Sequence, residues 1–494
     1  MNKLRYLLYS VAIFMLVTFL SCRDDYDHFS SDPNKVLAFS TDTLSFDTLL
    51  STIGSATRRF MIYNNHKEPL RISSIKLLHG DEGFRINIPP ERRDTNGIFY
   101  DVRISPKDSL YVFVEATLRD KNKDTPQFQS DEIVFETNGR QQKIVVTAYG
   151  QDVIILKDTV FDKSLTLSNE RPYLVFDSLT VKEGVTLTIQ EGTTFYMHNK
   201  SWFNIQGNVK AKGSLSRPIT IRGDRLDYLI DIPYNRVPGQ WDRMWFASSS
   251  YGNELEYVHL RNGMSAMVFE TSEKPDNLKL KLKNSVLTNM NGNLIYAENC
   301  YIEVENSELS NASGALVYLR GGKYSFTHCT LANYMPPWNN MNTTGQTIVI
   351  YNYTFDENND RVELPVVEAI FSNSIIYGSN TKAAECTIVS DTDSDTPMHY
   401  KFQNCLLLNK DGQDDGEKFI DCIFNKAPEF VKSTSEKLDK EKEYDYIFDF
   451  RLTAESPARN KANATIAGKF PYDMNGISRF GDEPDMGAYE FSNK

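Results

Sequence analysis

The sequence has little of what most enzymes use for chemistry. Seven histidines are scattered over 494 residues, and none sits in an HExxH zinc motif or a Ser-His-Asp signature. No glycine-rich loop of the phosphate-cradling kind occurs, so nucleotide chemistry lacks its usual support. The six cysteines include no close pair of the zinc-knuckle or redox type, and the five after Cys22 are an odd number, so no disulfide framework is expected. Positive charge is also in deficit. Lys and Arg number 54 against 66 Asp and Glu, a formal −12, and a surface of that sign repels nucleic acid and anionic polymers at long range. Nucleic acid is not an expected partner.

Long apolar runs are nearly absent as well. The one that exists, Tyr6 to Leu20, follows Lys3 and Arg5 and ends in Phe19-Leu20-Ser21-Cys22, the layout of a secretory signal and too short to span a bilayer comfortably. A Cys directly after the small residue resembles the lipobox of bacterial lipoproteins. The resemblance implies a signal peptide over residues 1–21, lipidation at Cys22 and a tether over 22–35. Arg23-Asp24-Asp25-Tyr26-Asp27 resembles the acidic segment that sends many lipoproteins of the Bacteroidetes to the outer face of the outer membrane. That implies a membrane partner through the N-terminal lipid and a location facing the cell exterior. Loss of residues 1–21 removes Lys3 and Arg5 and no acid, taking the formal charge from −12 to −14.

What is abundant is aromatic and strand-forming: 26 Tyr and 29 Phe favour sheets over helices. Residues 36–152 break into short alternating runs such as Phe84-Arg85-Ile86-Asn87-Ile88, and Asn138-Gly139 supplies a tight hairpin turn. Seven to nine such runs fit an immunoglobulin-like sandwich, although the Cys and Trp landmarks of antibody domains are missing. Ile104 to Val114 and Ala148-Tyr149-Gly150-Gln151-Asp152 resemble the modules found beside anchors in bacterial surface proteins, which implies a spacer.

From about residue 174 the strands shorten and a repeat emerges. Leu282 to Asn289, Val304 to Asn311 and Phe326 to Asn333 follow one another at 22-residue steps. Two polar columns result: Asn284, Asn306 and His328, then Asn289, Asn311 and Asn333. Such a period is the signature of a solenoid. The run Glu183-Gly184-Val185-Thr186-Leu187-Thr188-Ile189 with Glu191-Gly192-Thr193-Thr194 resembles the opening coils of right-handed parallel β-helix, or pectin-lyase-like, proteins. In such a helix equivalent side chains stack ~4.8 Å apart, so an inward Asn donates to one neighbour and accepts from the other. Both polar columns therefore read as an internal structural ladder, with Cys329 and Cys405 as small buried residues beside it. The expected fold is all-β: a sandwich over 36–152, then a right-handed parallel β-helix over 174–444 with an insertion near 334–368. Residues 445–494, with Asp485-Met486-Gly487-Ala488-Tyr489-Glu490, resemble the closing module of such proteins and are expected to shield the last coil.

Lyases on this scaffold need a cation and a base, and glycosidases need paired carboxylates. Asp391, Asp393 and Asp395 alternate like the start of a Ca²⁺ loop, but Thr396 and Phe402 stand where such a loop wants Gly and Glu. They are a weak metal candidate, and Ca²⁺ is the one cofactor the sequence suggests at all. Asp224, Asp227 and Asp231 lie in one stretch with Arg222 and Arg225, the least implausible catalytic cluster, yet no catalytic residue is assigned. The insertion instead offers aromatic faces amid amides, a surface suited to sugars: Tyr334, Trp338, Tyr351 and Tyr353. Trp202, Trp241 and Trp245 read as packing residues. The expected function is thus a surface-anchored, non-catalytic protein that binds glycans or another surface polymer, or acts in adhesion. The alternatives are a polysaccharide lyase or glycoside hydrolase on the same scaffold, or a purely structural surface component.

Overall fold

The computed structural model describes residues 28–493 apart from 81, 230–231, 336–344, 380–384, 391–393, 410–413, 435–436, 439–442, 445–446 and 482. The chain divides into two compact units, Met1–Asp152 and Val153–Lys494.

The first unit is an immunoglobulin-like β-sandwich. One sheet runs Ala38–Phe39, Arg58–Tyr63, Ser109–Ala116, Phe84–Asn87, and the other Thr43–Leu50, Arg140–Gln151, Gln127–Thr137, Leu70–Leu77, Phe99–Ile104. Alternation sends Phe60, Ile72, Phe84, Phe99, Phe135 and Val146 into one shared core. Asn138 and Gly139 turn the longest hairpin at φ of 52° and 72°, in the left-handed region that Asn and Gly tolerate.

The second unit is a parallel β-helix whose coils each contribute up to three strands. The coil Leu278–Lys283, Val286–Met290, Ile295–Glu298 is followed by Tyr301–Glu305, Glu308–Ala312, Val317–Arg320. Strands in the first position build ladder one, a 10-stranded parallel sheet from Leu165–Leu167 to Phe419–Ile420. Strands in the second and third positions build ladders two and three, which branch within one 18-stranded sheet. Parallel pairing begins at Ile154–Phe161, ahead of the expected start at 174. That first strand hides in the sequence because its pairing slips between Lys157 and Thr159, with Asp158 at φ 44°. Among the described residues the last parallel pairs join Phe402 to Phe419 and Leu407 to Phe424, short of the expected end at 444. The expected insertion is also partly ladder: Ile348–Tyr351 and Val366–Ser372 pair with the coils on either side, and what leaves the coil includes the hairpin Tyr353–Phe355 and Arg361–Glu363.

Identical register turns repeated apolar positions into columns. Phe326, Phe371, Phe402 and Phe419 stack with centroids 4.8, 4.9 and 5.1 Å apart and planes within 10°. Each buried ring stabilises the solenoid by about 1.5–3 kcal/mol. A second inward column carries small polar groups. The Ser285 amide donates to Ser307 Oγ at 3.1 Å, and the Cys329 amide to Ser374 Oγ at 3.1 Å, while the buried Cys405 continues the same corner.

The asparagines occupy the corners between ladders one and two. Asn284, Asn306, His328, Asn373 and Asn404 have φ between 46° and 52°, a left-handed conformation that lets the coil turn sharply. Their side chains do not point inward, as the repeat suggests. Asn284 Nδ2 donates to Glu256 Oε1 at 3.2 Å, and from Asn306 onward the column faces the C-terminal segment: Asn306 Nδ2 donates to Asn284 Oδ1 at 2.7 Å and to Tyr472 O at 3.2 Å, and Asn373 Nδ2 to His328 Nε2 at 2.9 Å and to Asn463 O at 3.1 Å. The second column is also local. Asn311 Oδ1 accepts from the Tyr334 amide, and Asn333 Nδ2 donates to Ala312 O and Gly345 O, while Asn289 stands at φ 59° with its Nδ2 unpaired.

Residues 447–493 thus lie along the flank of several coils. Phe450, Leu452, Met474, Met486 and Tyr489 cover Ala332, Ile375 and Leu406, apolar residues on the outward face of ladder two. The segment expected to shield the last coil packs over the outward face of ladder two along several coils, from Val286 to Leu406 and Ile423 of the last ones.

Candidate functional site

Ladder three carries a row of large side chains on its outward face. Register places Trp245 beside Val268, Val268 beside Tyr296, Tyr296 beside Tyr318 and Tyr318 beside Val349. The next outward row runs Glu298, Arg320, Tyr351. Tyr296 stacks on Tyr318 at 5.4 Å and Tyr318 on Tyr351 at 5.8 Å. The hairpin beyond Tyr351 extends this surface, with Tyr353 edge-on to Tyr351 at 5.3 Å and Arg361 4.5 Å over the Tyr353 ring.

The row is interrupted once. Val268 separates Trp245 from Tyr296 and leaves a groove of about 440 Å³ lined by these three residues with Ser248, Phe269, Glu270, Thr271 and Glu298. That volume falls in the usual range for a small-ligand site. Trp245 and Tyr296 are two coils apart, ~9–10 Å at ordinary strand spacing, which is wide enough to admit one flat ring between them.

The polar groups around this slot are held in place. Glu298 accepts from Thr271 Oγ1 at 2.9 Å and Thr354 Oγ1 at 3.3 Å, and it lies 3.8 Å from Arg320. Arg320 donates to Thr354 Oγ1 at 2.7 Å and sits 5.4 Å over the Tyr318 ring. Burial opposes the Arg320 charge, but the Tyr318 hydroxyl, the neighbouring tyrosines and Glu298 more than offset it. Burial raises the Tyr296 and Tyr351 phenols, so both stay neutral donors. Glu270 accepts from the Ser248 amide at 2.8 Å. Register sets Glu270 and Glu298 on adjacent coils, one residue past the paired Phe269 and Ala297.

Of the aromatic residues expected to bind sugar, Tyr351 and Tyr353 come together beside this row. Tyr334 does not join them: it packs against Phe430 and Phe450 at 6.1 and 5.8 Å, and burial drives its phenol far up. The backbone turns it toward ladder two, where the C-terminal segment covers it. Trp338 lies outside the described residues, as do Cys22, Arg23, Asp24, Asp25, Asp391 and Asp393. Among the described residues no three His, Cys, Asp or Glu side chains converge as a metal site requires. The stretch with Arg222 does not converge on one site: Asp224 bonds His198 Nδ1 at 2.6 Å, Asp227 holds Arg225 at 2.5 and 2.8 Å, Arg222 donates to backbone carbonyls, and Asp231 is outside the described residues.

Tyr296, Tyr318, Glu298 and Arg320 were not singled out as site residues by sequence reasoning, and Trp245, read there as a packing residue, instead lines the groove. The repeat does carry the signal, since Tyr296 and Tyr318, like Glu298 and Arg320, stand 22 residues apart, the interval of the Asn284–Asn306 pair. Trp241, by contrast, is 1% exposed and packs in the core.

No protein-family model matches the chain, and no curated protein does. Among solved structures, a part of the chain is similar to the VesB protease of Vibrio cholerae, with 11% identity, TM-score 0.16, and coverage of 23% of this chain and 31% of that one. Another similarity is to a family 123 glycoside hydrolase from Clostridium perfringens, with 7% identity, TM-score 0.17, and coverage of 23% and 25%. The chain thus spans about a third and a quarter of those proteins, and likeness at this level carries no argument about function.

Proposed function

We propose that the protein is a surface-anchored glycan-binding lipoprotein that takes a sugar ring into the slot between Trp245 and Tyr296. The observation that carries this reading is the single interruption of the aromatic row at Val268, which leaves two facing side chains and a floor between them. Sugars offer flat C–H faces to aromatic rings and hydroxyls to carboxylates and hydroxyl groups. Glu270, Thr271, Glu298 and Ser248 supply those partners. The lipid at Cys22 would hold this surface at the outer membrane.

A second reading rests on Glu270 and Glu298, two carboxylates on adjacent coils lining one groove, the minimum a glycoside hydrolase requires. The two are separated by one experiment on the soluble chain: glycan-array binding alongside a reducing-end release assay. Binding without release supports the first reading. Release abolished in Glu298→Gln replaces it with the second, and neither binding nor release on a broad array removes both.

A further inference from the structure

The chain carries a net excess of acid, yet on the outward face of ladder two it places two arginines side by side, and among the described residues neither forms an ion pair, Asp224 and Glu308 acting on them only from a distance. Ile221 pairs with Leu260, so Arg222 and Arg261 project from adjacent coils one residue further on, ~4.8 Å apart at the backbone. Tyr196 lies beside Arg222 on one side, and Thr288 beside Arg261 on the other. Among the described residues neither guanidinium meets a carboxylate. Arg222 donates only to the carbonyls of Gly223 and Arg225, and Arg261 Nε is buried with no partner.

The acids nearest this pair are engaged elsewhere. Asp224 is bound to His198, and Glu308 accepts from Ser310 Oγ and from the Tyr489 hydroxyl. Burial also pushes the Glu308 carboxyl up, which weakens it further as a counter-ion. His259, in the next outward row, is driven down to about 4 by burial and then by Arg261, so at neutral pH it adds no charge and keeps an N–H to offer. Two like charges held this close and half-buried cost free energy that a bound anion recovers. Five donors in a fixed fork suit an oxyanion better than a halide.

We infer that Arg222 and Arg261, flanked by Tyr196, His259 and Thr288, form a binding site for an oxyanion, the carboxylate or sulfate group of an acidic saccharide. The site lies on a different ladder from the aromatic slot and does not depend on it. It also lets an acidic protein accept an acidic polymer locally against the long-range repulsion of its net charge.

The test is titration calorimetry of the soluble chain with three probes at matched ionic strength: sodium sulfate, a sulfated oligosaccharide and an oligogalacturonate. Saturable binding of at least one is expected, weakened about tenfold in Arg222→Gln and again in Arg261→Gln, with chloride inert. A sulfated probe outbinding the oligogalacturonate assigns a sulfate ester, and the reverse order assigns a uronate. Absence of saturable binding by all three, or equal affinity in wild type and both variants, overturns the site. Should Arg261→Gln fail to fold, Arg261→Lys keeps the charge and loses the fork, and unchanged affinity there together with unchanged affinity in Arg222→Gln is equally fatal.

Discussion

Arg479 Nη2 donates to Asn306 Oδ1 at 2.9 Å across 173 positions of sequence. The same guanidinium binds Glu490 and donates to Gly487 O at 3.0 Å, so one buried arginine ties the C-terminal segment both to itself and to a corner of the solenoid. The polar column read from the repeat is therefore a docking strip for a distant part of the chain.

Arg479→Met is expected to leave Glu490 buried and unpaired and to destabilise the protein by about 3–5 kcal/mol. Asn306→Leu should cost about 1–3 kcal/mol for each partner left unsatisfied. Urea unfolding checks both, and limited proteolysis should show the segment after 447 cleaved first in Arg479→Met. A wild-type urea midpoint in both variants would mean that the strip does not hold the segment.

The buried phenyl column predicts a large cavity effect. Phe371→Ala removes the ring between Phe326 and Phe402 and should cost about 3–5 kcal/mol. Phe371→Leu, which keeps most of the volume, should cost clearly less. Calorimetric midpoints of the two variants decide the point, and equal losses would argue against a packed column.

His259 predicts a pH dependence. Burial lowers its folded-state pKa from 6.5 to about 4, so the folded protein favours the neutral ring. Its contribution to stability is complete above pH 6.5 and is lost as the pH falls toward 4, where the unfolded chain binds the proton more readily. Glu490, raised from 4.5 to about 7, works in the opposite sense, its contribution being lost as pH rises through 7. The difference between wild type and His259→Gln isolates the histidine. It should shrink as pH is lowered from 6.5 to 4, and a difference that is constant across that range contradicts the assignment.

In the slot, Trp245→Ala and Tyr296→Ala should each weaken glycan binding by tenfold or more, the loss expected when about 1.4 kcal/mol of stacking is removed. Tyr351→Ala, further along the row, should cost less. Array signals measured with matched protein concentrations test the ranking, and full binding by the Trp245 variant would place the glycan elsewhere.

Cys22→Ala should abolish labelled-palmitate incorporation and release the protein from the membrane fraction. Unchanged labelling would refute lipidation at this residue.

Much of the architecture was legible because it is periodic. Alternation in Leu280 to Lys283 and the recurrence of Ser285, Ser307 and Cys329 need only local rules and one repeat to be read. The corners were legible in identity, since Asn marks a left-handed turn, but not in direction. Whether Asn306 faces inward or outward depends on Tyr472 and Arg479, which no nearby residue announces. Tyr334 was misjudged for the same reason. An aromatic residue beside an insertion looks exposed until Phe430 and Phe450 are brought across it.

The amino-acid sequence by itself determined an all-β chain, its division into sandwich and solenoid, and the stacking period that builds continuous columns. These follow from short-range patterning, where each residue meets its neighbours one strand or one coil away. Tertiary structure alone decided where the C-terminal segment lies, which side of the asparagine column is covered, and that Trp245 and Tyr296 face each other across Val268 while Arg222 and Arg261 stand together with no ion pair among the described residues. Each of those relationships depends on which residues come to share one face of a ladder, and that follows from coil lengths that vary along the chain rather than from any local signal.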